Sequence, residues 1–327
     1  MSTRTDAPPF EHAIGPDGLV VVRLPSGGLR LRGTDGDRAV VRSRRGQGLD
    51  GLEVDAGERS LAIGTAGRHG GGRHGRSVDL DLDIPTGATV VVEAESADVL
   101  ARDLSGDQRY RTASGEVTLR DVSGTIAVEA VSGDVEVVGR GAATMAVRTV
   151  SGDVSLLADA LLGLELSTAS GDIELAGRFE AEGRFQIETV SGDTRLSPAN
   201  DVRLEMDTIS GDLDSRLDGR REDSGGRRIL VVGQGGPTIR LRSTSGDVRV
   251  DDERVVLQLR GRHPSPDIAR TPPVPVRPAG PDLPAAVAGD DLDILRALER
   301  GEIDTAEARR RLAALDGSPL TMENDDV

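Results

Sequence analysis

The triplet Ser-Gly-Asp, or a close variant of it, begins at Ser96, Ser105, Ser114, Ser123, Ser132, Ser151, Ser170, Ser191, Ser210 and Ser245. The early steps are nine residues, the next four are 19, 19, 21 and 19, and the last is 35, so a step of about nineteen reads as two short strand-plus-turn units. Turns of different spelling then fall at Gly139–Gly141, Ala158–Gly163, Gly177–Gly183 and Ser197–Asp201. A repeat this short cannot bury a hydrophobic face alone and becomes stable only by stacking on copies of itself.

Between the triplets apolar residues alternate: Val117 and Leu119, Ile126 and Val128, Val135 and Val137, Val154 and Leu156, Ile173 and Leu175. Period-two alternation marks strands with one buried face. A helix would need spacings of three and four, and it would be weakened by each recurring glycine. An apolar residue also precedes many of the triplets, at Leu104, Val122, Val131, Val150, Val190 and Ile209. With two strands per coil, Ser114, Ser132, Ser151, Ser170, Ser191 and Ser210 share one corner, and Ser105 and Ser123 lie on the opposite one. Coils about 4.8 Å apart over residues 78–260 give a rod on the order of 45 Å long. The expected fold is therefore an all-β solenoid of short strands, two per coil of about 19 residues.

Composition agrees with a thin core. The chain has 327 residues but three Phe, one Tyr and no Trp, so Val, Leu, Ile and Ala must fill the interior. Glycine supplies the positive φ of a tight corner, and Asp accepts from a nearby backbone N–H. All ten triplets keep Ser; Ala97 replaces Gly once, and Glu116 and Thr125 replace Asp.

The remaining segments divide by pattern. Residues 1–9 are expected to be disordered. Residues 10–77 hold strand-like runs that read as first rungs or a cap, with a Gly-, His- and Arg-rich loop at 68–76. His69 and His74 in that loop read as solvated rather than metal-bound. Residues 218–237 look like an insertion ahead of the strand from Thr238 to Leu241. A Pro-rich linker occupies 261–289, as an extended tether. Leu292, Ile294, Leu295 and Leu298, then Ala308, Leu312 and Leu315, mark a helical hairpin at 290–316, with Asp304 and Glu307 as its capping pair. The apolar stripe of that hairpin is small, so docking or homo-oligomerisation through 290–316 is expected. Residues 317–327 form an acidic, disordered tail.

A net charge of −16, with every basic residue an arginine, argues against a nucleic-acid partner. Without cysteine there are no disulfides or thiolate metal sites. No apolar run is long enough to span a bilayer, and the N-terminus lacks signal-peptide features, so a cytoplasmic location is expected.

From Val78 through Val250, the Asp-Leu-Asp-Ile-Pro-x-Gly run at 81–87 and the triplet series resemble the bacterial β-strand-repeat family called the "putative adhesin" or toastrack family. The stretch 298–308 is similar to the short bihelical, SHOCT-like domain often attached to such proteins. The resemblance implies a non-catalytic module in envelope-stress systems of the phage-shock type, with protein partners that include membrane proteins. It carries over no catalytic residues and no cofactor.

An interaction scaffold or sensor is the expectation these readings favour. A self-stacking filament is the structural alternative, and a surface adhesin is another. A calcium-loaded β-roll would use Asp134, Asp153, Asp172, Asp193 and Asp212, although such rolls need more glycine per nonapeptide. A glycosidase or lyase would need two carboxylates at a defined separation and sugar-stacking aromatics, which this composition barely supplies.

Overall fold

The computed structural model describes residues 9–44, 52–65, 77–224 and 227–252. The His69 and His74 loop, the linker, the helical hairpin and the tail lie outside the described residues. In chain order the first strands are β1 (Phe10–Ala13), β2 (Leu19–Thr34), β3 (Arg38–Ser43), β4 (Leu52–Gly57), β5 (Ser60–Thr65), β6 (Val78–Pro85) and β7 (Thr89–Arg102). The middle of the chain holds β8 (Gln108–Ser114), β9 (Val117–Ser132), β10 (Val135–Ser151), β11 (Val154–Ser170), β12 (Ile173–Phe179), β13 (Phe185–Ser191) and β14 (Thr194–Pro198). The last are β15 (Val202–Ser210), β16 (Leu213–Ser215), β17 (Gly219–Ser224), β18 (Arg227–Val232), β19 (Thr238–Ser245) and β20 (Val248–Val250).

These strands wind into the expected solenoid. Each coil has one flank running into the Ser-Gly-Asp corner and one running out, and each flank pairs in parallel with its counterparts above and below. Strict register stacks like on like. The inward column Val90, Gln108, Ile126, Met145, Leu164, Phe185, Ile239, Leu204 runs along one flank. Its counterpart on the other is Val99, Val117, Val135, Val154, Ile173, Thr194, Val248, Leu213. All these side chains are buried. Branched aliphatics suit this narrow interior because each packs on its own kind one rung away. The few rings sit where the interior admits them. Phe179 and Phe185 meet edge to face at 5.0 Å, and buried Tyr110 donates to Gln108 Oε1 at 3.0 Å.

The order of the coils departs from the order of the chain. The repeat spacing implies that the Ser210 coil follows the Ser191 coil, but β19–β20 lies between them. Ser245 is registered with both Ser191 and Ser210, and β20 pairs with both β14 and β16. The segment expected to be an insertion explains this. Strands β17 and β18 form an antiparallel hairpin, and β18 occupies the outer edge of β15, so the chain returns on the inner edge. A similar displacement occurs at the other end. Strand β2 makes a full coil between β7 on one side and β5 and β6 on the other.

Antiparallel strands cover both flanks of one end, β4 on β5 and β3 then β1 on β6, and the β17–β18 hairpin covers the β15 flank of the other. His12 Nε2 lies 2.6 Å from the Gly57 carbonyl oxygen and ties β1 to β4. Reversed direction and charged edge residues such as Arg220, Arg221, Glu222 and Asp223 are devices that discourage further strand addition.

Candidate functional site

The repeated corner is the most ordered polar feature of the surface, and its chemistry begins with glycine. Gly133, Gly152, Gly171, Gly192 and Gly246 have φ between +118° and +132°. A Cβ added at any of them would stand 2.1–2.4 Å from the carbonyl oxygen of the glycine beneath. Any other residue would therefore suffer both an unfavourable φ and a backbone clash.

With backbones this close, each Asp reaches its neighbour. Asp134 Oδ1 accepts from the Asp153 N–H, Asp153 from Asp172, Asp172 from Asp193, Asp193 from Asp247, and Asp247 from Asp212, each at 2.9 Å. A similar bond of 3.1 Å joins Asp98 to the Glu116 N–H. Between Glu116 and Asp134 no such bond is present among the described residues. The longer Glu116 side chain instead accepts from Thr118 Oγ1 at 2.9 Å. A second series supports the first. Thr112, Thr149, Thr168, Thr189, Thr208 and Ser243 each donate a hydroxyl to the carbonyl of the corner serine two residues on, at 3.1–3.3 Å. These hydroxyls escaped the reading of the triplet alone, although a Thr or Ser two residues before it is visible in the sequence.

All five carboxylates singled out from the sequence thus lie on one corner, but not as five successive rungs: Asp247, missing from that set, separates Asp193 from Asp212. Asp212, at the end of the series, lies 3.5 Å from Arg228, which also donates to the Gly211 carbonyl. By accepting backbone N–H groups, Asp134, Asp153, Asp172 and Asp193 take a structural role that needs no cation. Beside the corner, Asp172, Glu174, Asp193, Thr194, Arg195 and Arg249 line a shallow, open depression. Two of its charges are already joined, Arg195 to Glu174 at 3.1 Å.

The apolar residues preceding the triplets divide by corner. Leu104 and Val122 are buried in the core, whereas Val131, Val150 and Val190 are half-buried on the outer surface and Ile209 is 85% exposed. At the opposite corner Asp103 (φ 59°) and Asp121 (φ 52°) adopt the left-handed conformation, which resets the in–out alternation. Burial, then the charge of Asp121, raises the Asp103 pKa above the usual carboxylate value, against the opposing pull of Arg102, Arg140 and Arg32.

On the flank that enters the Ser-Gly-Asp corner, one outward column nearly alternates in sign: Arg23, Glu93, Arg111, Glu129, Arg148, Ser167, Glu188, Arg242, Asp207. Contacts within it include Arg23–Glu93 at 2.7 Å, Arg111–Glu129 at 2.9 Å and Arg242–Glu188 at 3.5 Å. Beyond its end, Arg227 donates to Asp207 at 2.8 Å, and that hydrogen bond lowers the Asp207 pKa. Among the described residues no three His, Cys, Asp or Glu side chains converge as a metal site.

The described coils, with their stacked glycines and carboxylate series, fall within residues 20–251, and that stretch matches the family described as Toastrack DUF4097. The chain belongs to the toastrack family. Several solved structures resemble this toastrack chain. A "putative adhesin" from Bacteroides fragilis is 13% identical, covering 75% of this chain and 95% of its own, with a TM-score of 0.42. A "putative adhesin" from Parabacteroides distasonis is 14% identical over 74% of this chain and 96% of its own, with a TM-score of 0.31. A "putative cell adhesion protein" from Clostridium sporogenes is 9% identical over 75% and 99%, with a TM-score of 0.24. Among curated proteins no match to this toastrack chain is found.

Proposed function

We propose that this toastrack solenoid is a non-catalytic interaction scaffold for protein partners, acting in the response to cell-envelope stress. The corner carries the reading. Ser132, Ser151, Ser191 and Ser210 are exposed there beside the exposed Asp134, Asp153, Asp172, Asp193 and Asp212. Their backbones are fixed by the glycine stack, so hydroxyl and carboxylate recur at a rung spacing of about 4.8 Å. A rigid polar ridge of this kind can be recognised by a partner without the ordering cost that mobile side chains impose. The link to envelope stress and to membrane-protein partners rests on the family resemblance, as does a cytoplasmic position beside the membrane. End-to-end filament growth has less support, because antiparallel strands cover one end and the β15 flank of the other.

The test is crosslinking in the native host with the full chain, a ridge variant (S132K with S151K), and a chain lacking 290–316. Loss of a defined partner set in the ridge variant, with circular dichroism unchanged, supports the scaffold. Loss of self-association on deleting 290–316 supports that hairpin as the oligomerising element. Unchanged partner and assembly profiles in both variants refute the reading, and a partner set without membrane proteins removes the envelope link.

A further inference from the structure

The Ser-Gly-Asp corner carries an apolar row beside its polar one. The residue before each serine turns outward, and the register orders these as Val131, Val150, Ala169, Val190, Thr244 and Ile209 on successive rungs. Ile209 is 85% exposed, Val131, Val150 and Val190 are half-buried, and Ala169 continues the row between Val150 and Val190. None of these aliphatic side chains packs in the main core. The neighbouring outward column, from Glu129 and Arg148 to Arg242 and Asp207, is polar, so an apolar residue is not the rule for outward positions on this flank. An aliphatic strip rimmed by polar groups adds nothing to the interior and marks an interaction surface.

The two rims of the strip differ in charge. In the column on one side the charges are joined to one another or to neighbours: Arg111–Glu129 at 2.9 Å, Arg148–Glu165 at 3.0 Å, Arg242–Glu188 at 3.5 Å and Arg227–Asp207 at 2.8 Å. On the other side, past the small serines, stand Asp134, Asp153, Asp172, Asp193 and Asp247. Among the described residues no arginine pairs with any of these five; the one ion pair of the series is Asp212 with Arg228. Each of the five uses Oδ1 to hold a backbone N–H, which leaves Oδ2 for a further donor.

We propose, building on the scaffold reading, that this strip docks a basic amphipathic helix of a partner protein. The row runs across the strands, so an extended segment laid along it could not join the ladder through its backbone. A helix satisfies its own backbone and needs only a matching stripe of side chains. Five rung steps from Val131 to Ile209 span about 24 Å, the length of about 16 helical residues, and a helical turn of about 5.4 Å is close to the rung spacing of about 4.8 Å. The aliphatic stripe of the helix lies on the row, and arginines or lysines along one flank of that stripe meet the unpaired carboxylates. The same carboxylates repel an anionic lipid surface.

The probe is a dye-labelled designed helix of about 16 residues, with a leucine stripe and lysines along one flank, titrated into the full-length protein by fluorescence anisotropy. Saturable binding is expected, at least tenfold weaker for the same peptide with glutamate in place of lysine. V150D with V190D should also weaken it at least tenfold, and I209D, at a site too exposed to disturb folding, should weaken it as well. D153N and D172N keep the Oδ1 acceptor of the corner, and each should weaken binding about two- to fivefold at low salt, with the effect fading at high salt. No binding, equal binding of the acidic peptide, or an affinity unchanged by both sets of variants overturns the proposal. So does self-association that V150D with V190D abolishes, because a second copy then covers the strip, and so does peptide binding seen only after 290–316 is deleted. If the helix fails while S132K with S151K still loses its crosslinked partners, the ridge remains a scaffold and the basic helix alone is wrong.

Discussion

Replacing Gly171 by alanine separates the two demands placed on the corner. Gly171 has φ +132°, and a Cβ there would lie 2.2 Å from the Gly152 carbonyl oxygen. Gly36 provides the matched control, with φ +130° and nothing within 4 Å of an added Cβ. Both substitutions carry backbone strain of about 1–3 kcal/mol. Gly171→Ala alone must also push two coils apart, which adds about 1–3 kcal/mol on the scale of an overpacked interior. For a unit of this size that excess lowers the melting temperature by roughly 2–12 °C beyond the loss in Gly36→Ala. Thermal unfolding followed by circular dichroism measures the difference, and hydrogen exchange locates it. In Gly171→Ala the amides of Gly152 and Asp172, which bond to Ser170 O and Asp153 Oδ1 across the strained interface, should lose protection. If the two variants melt together and those amides stay protected, close stacking of glycine on carbonyl is not what fixes the corner.

Charge reversal at Arg242 tests the column that places β19: R242E sets three acidic side chains in succession, Glu188, residue 242 and Asp207. It should lower stability by no more than about 1 kcal/mol per lost contact, because Arg242 is 71% exposed. Adding E188R should recover most of the loss at low salt, and loss of equal size in high salt would rule out the electrostatic account. Asp103→Asn should raise the melting temperature at neutral pH. A carboxylate whose folded pKa is raised favours folding below its unfolded pKa, and that stability is lost as pH rises through the folded value. Asparagine tolerates the same left-handed φ, so the gain should vanish as the pH falls below the usual carboxylate range; a gain independent of pH would refute the ionisation argument.

Much of the fold is legible in the sequence because a Ser-Gly-Asp triplet states a local condition. The glycine fixes the corner, the alternation fixes the inward face, and nearly constant spacing brings Ser132 over Ser114 and Ser151 over Ser132. Which coil follows which is another matter. The Ser191, Ser210 and Ser245 coils are locally almost interchangeable, so the triplets do not tell β19 to enter between β13 and β15. The signals for that choice are distributed: acidic Glu188 and Asp207 on the flanking rungs, Arg242 on the inserted one, and a hairpin that takes the outer edge of β15. For the same reason the aspartate series was readable as a set but lacked Asp247. The different fates of Val122 and Val131 turned on Asp121 in a left-handed conformation, a backbone state that no period-two pattern encodes.

Neither end of this stack can be peeled away by pulling on the coil nearest the chain terminus. Strand β2 meets a strand whose partner residue is 70 positions away, Glu93 against Arg23, and β19–β20 meets residues 54 positions earlier, Asp193 against Asp247. Each is held on both edges, so removing it requires opening two interfaces at once. Assembly bears the converse cost. A ribosome delivers residues 19–34 well before their neighbours at 78–102, and such distant pairings form slowly. Interlocking of β2 and of β19–β20 in this way favours a native state whose lifetime is set by its unfolding barrier.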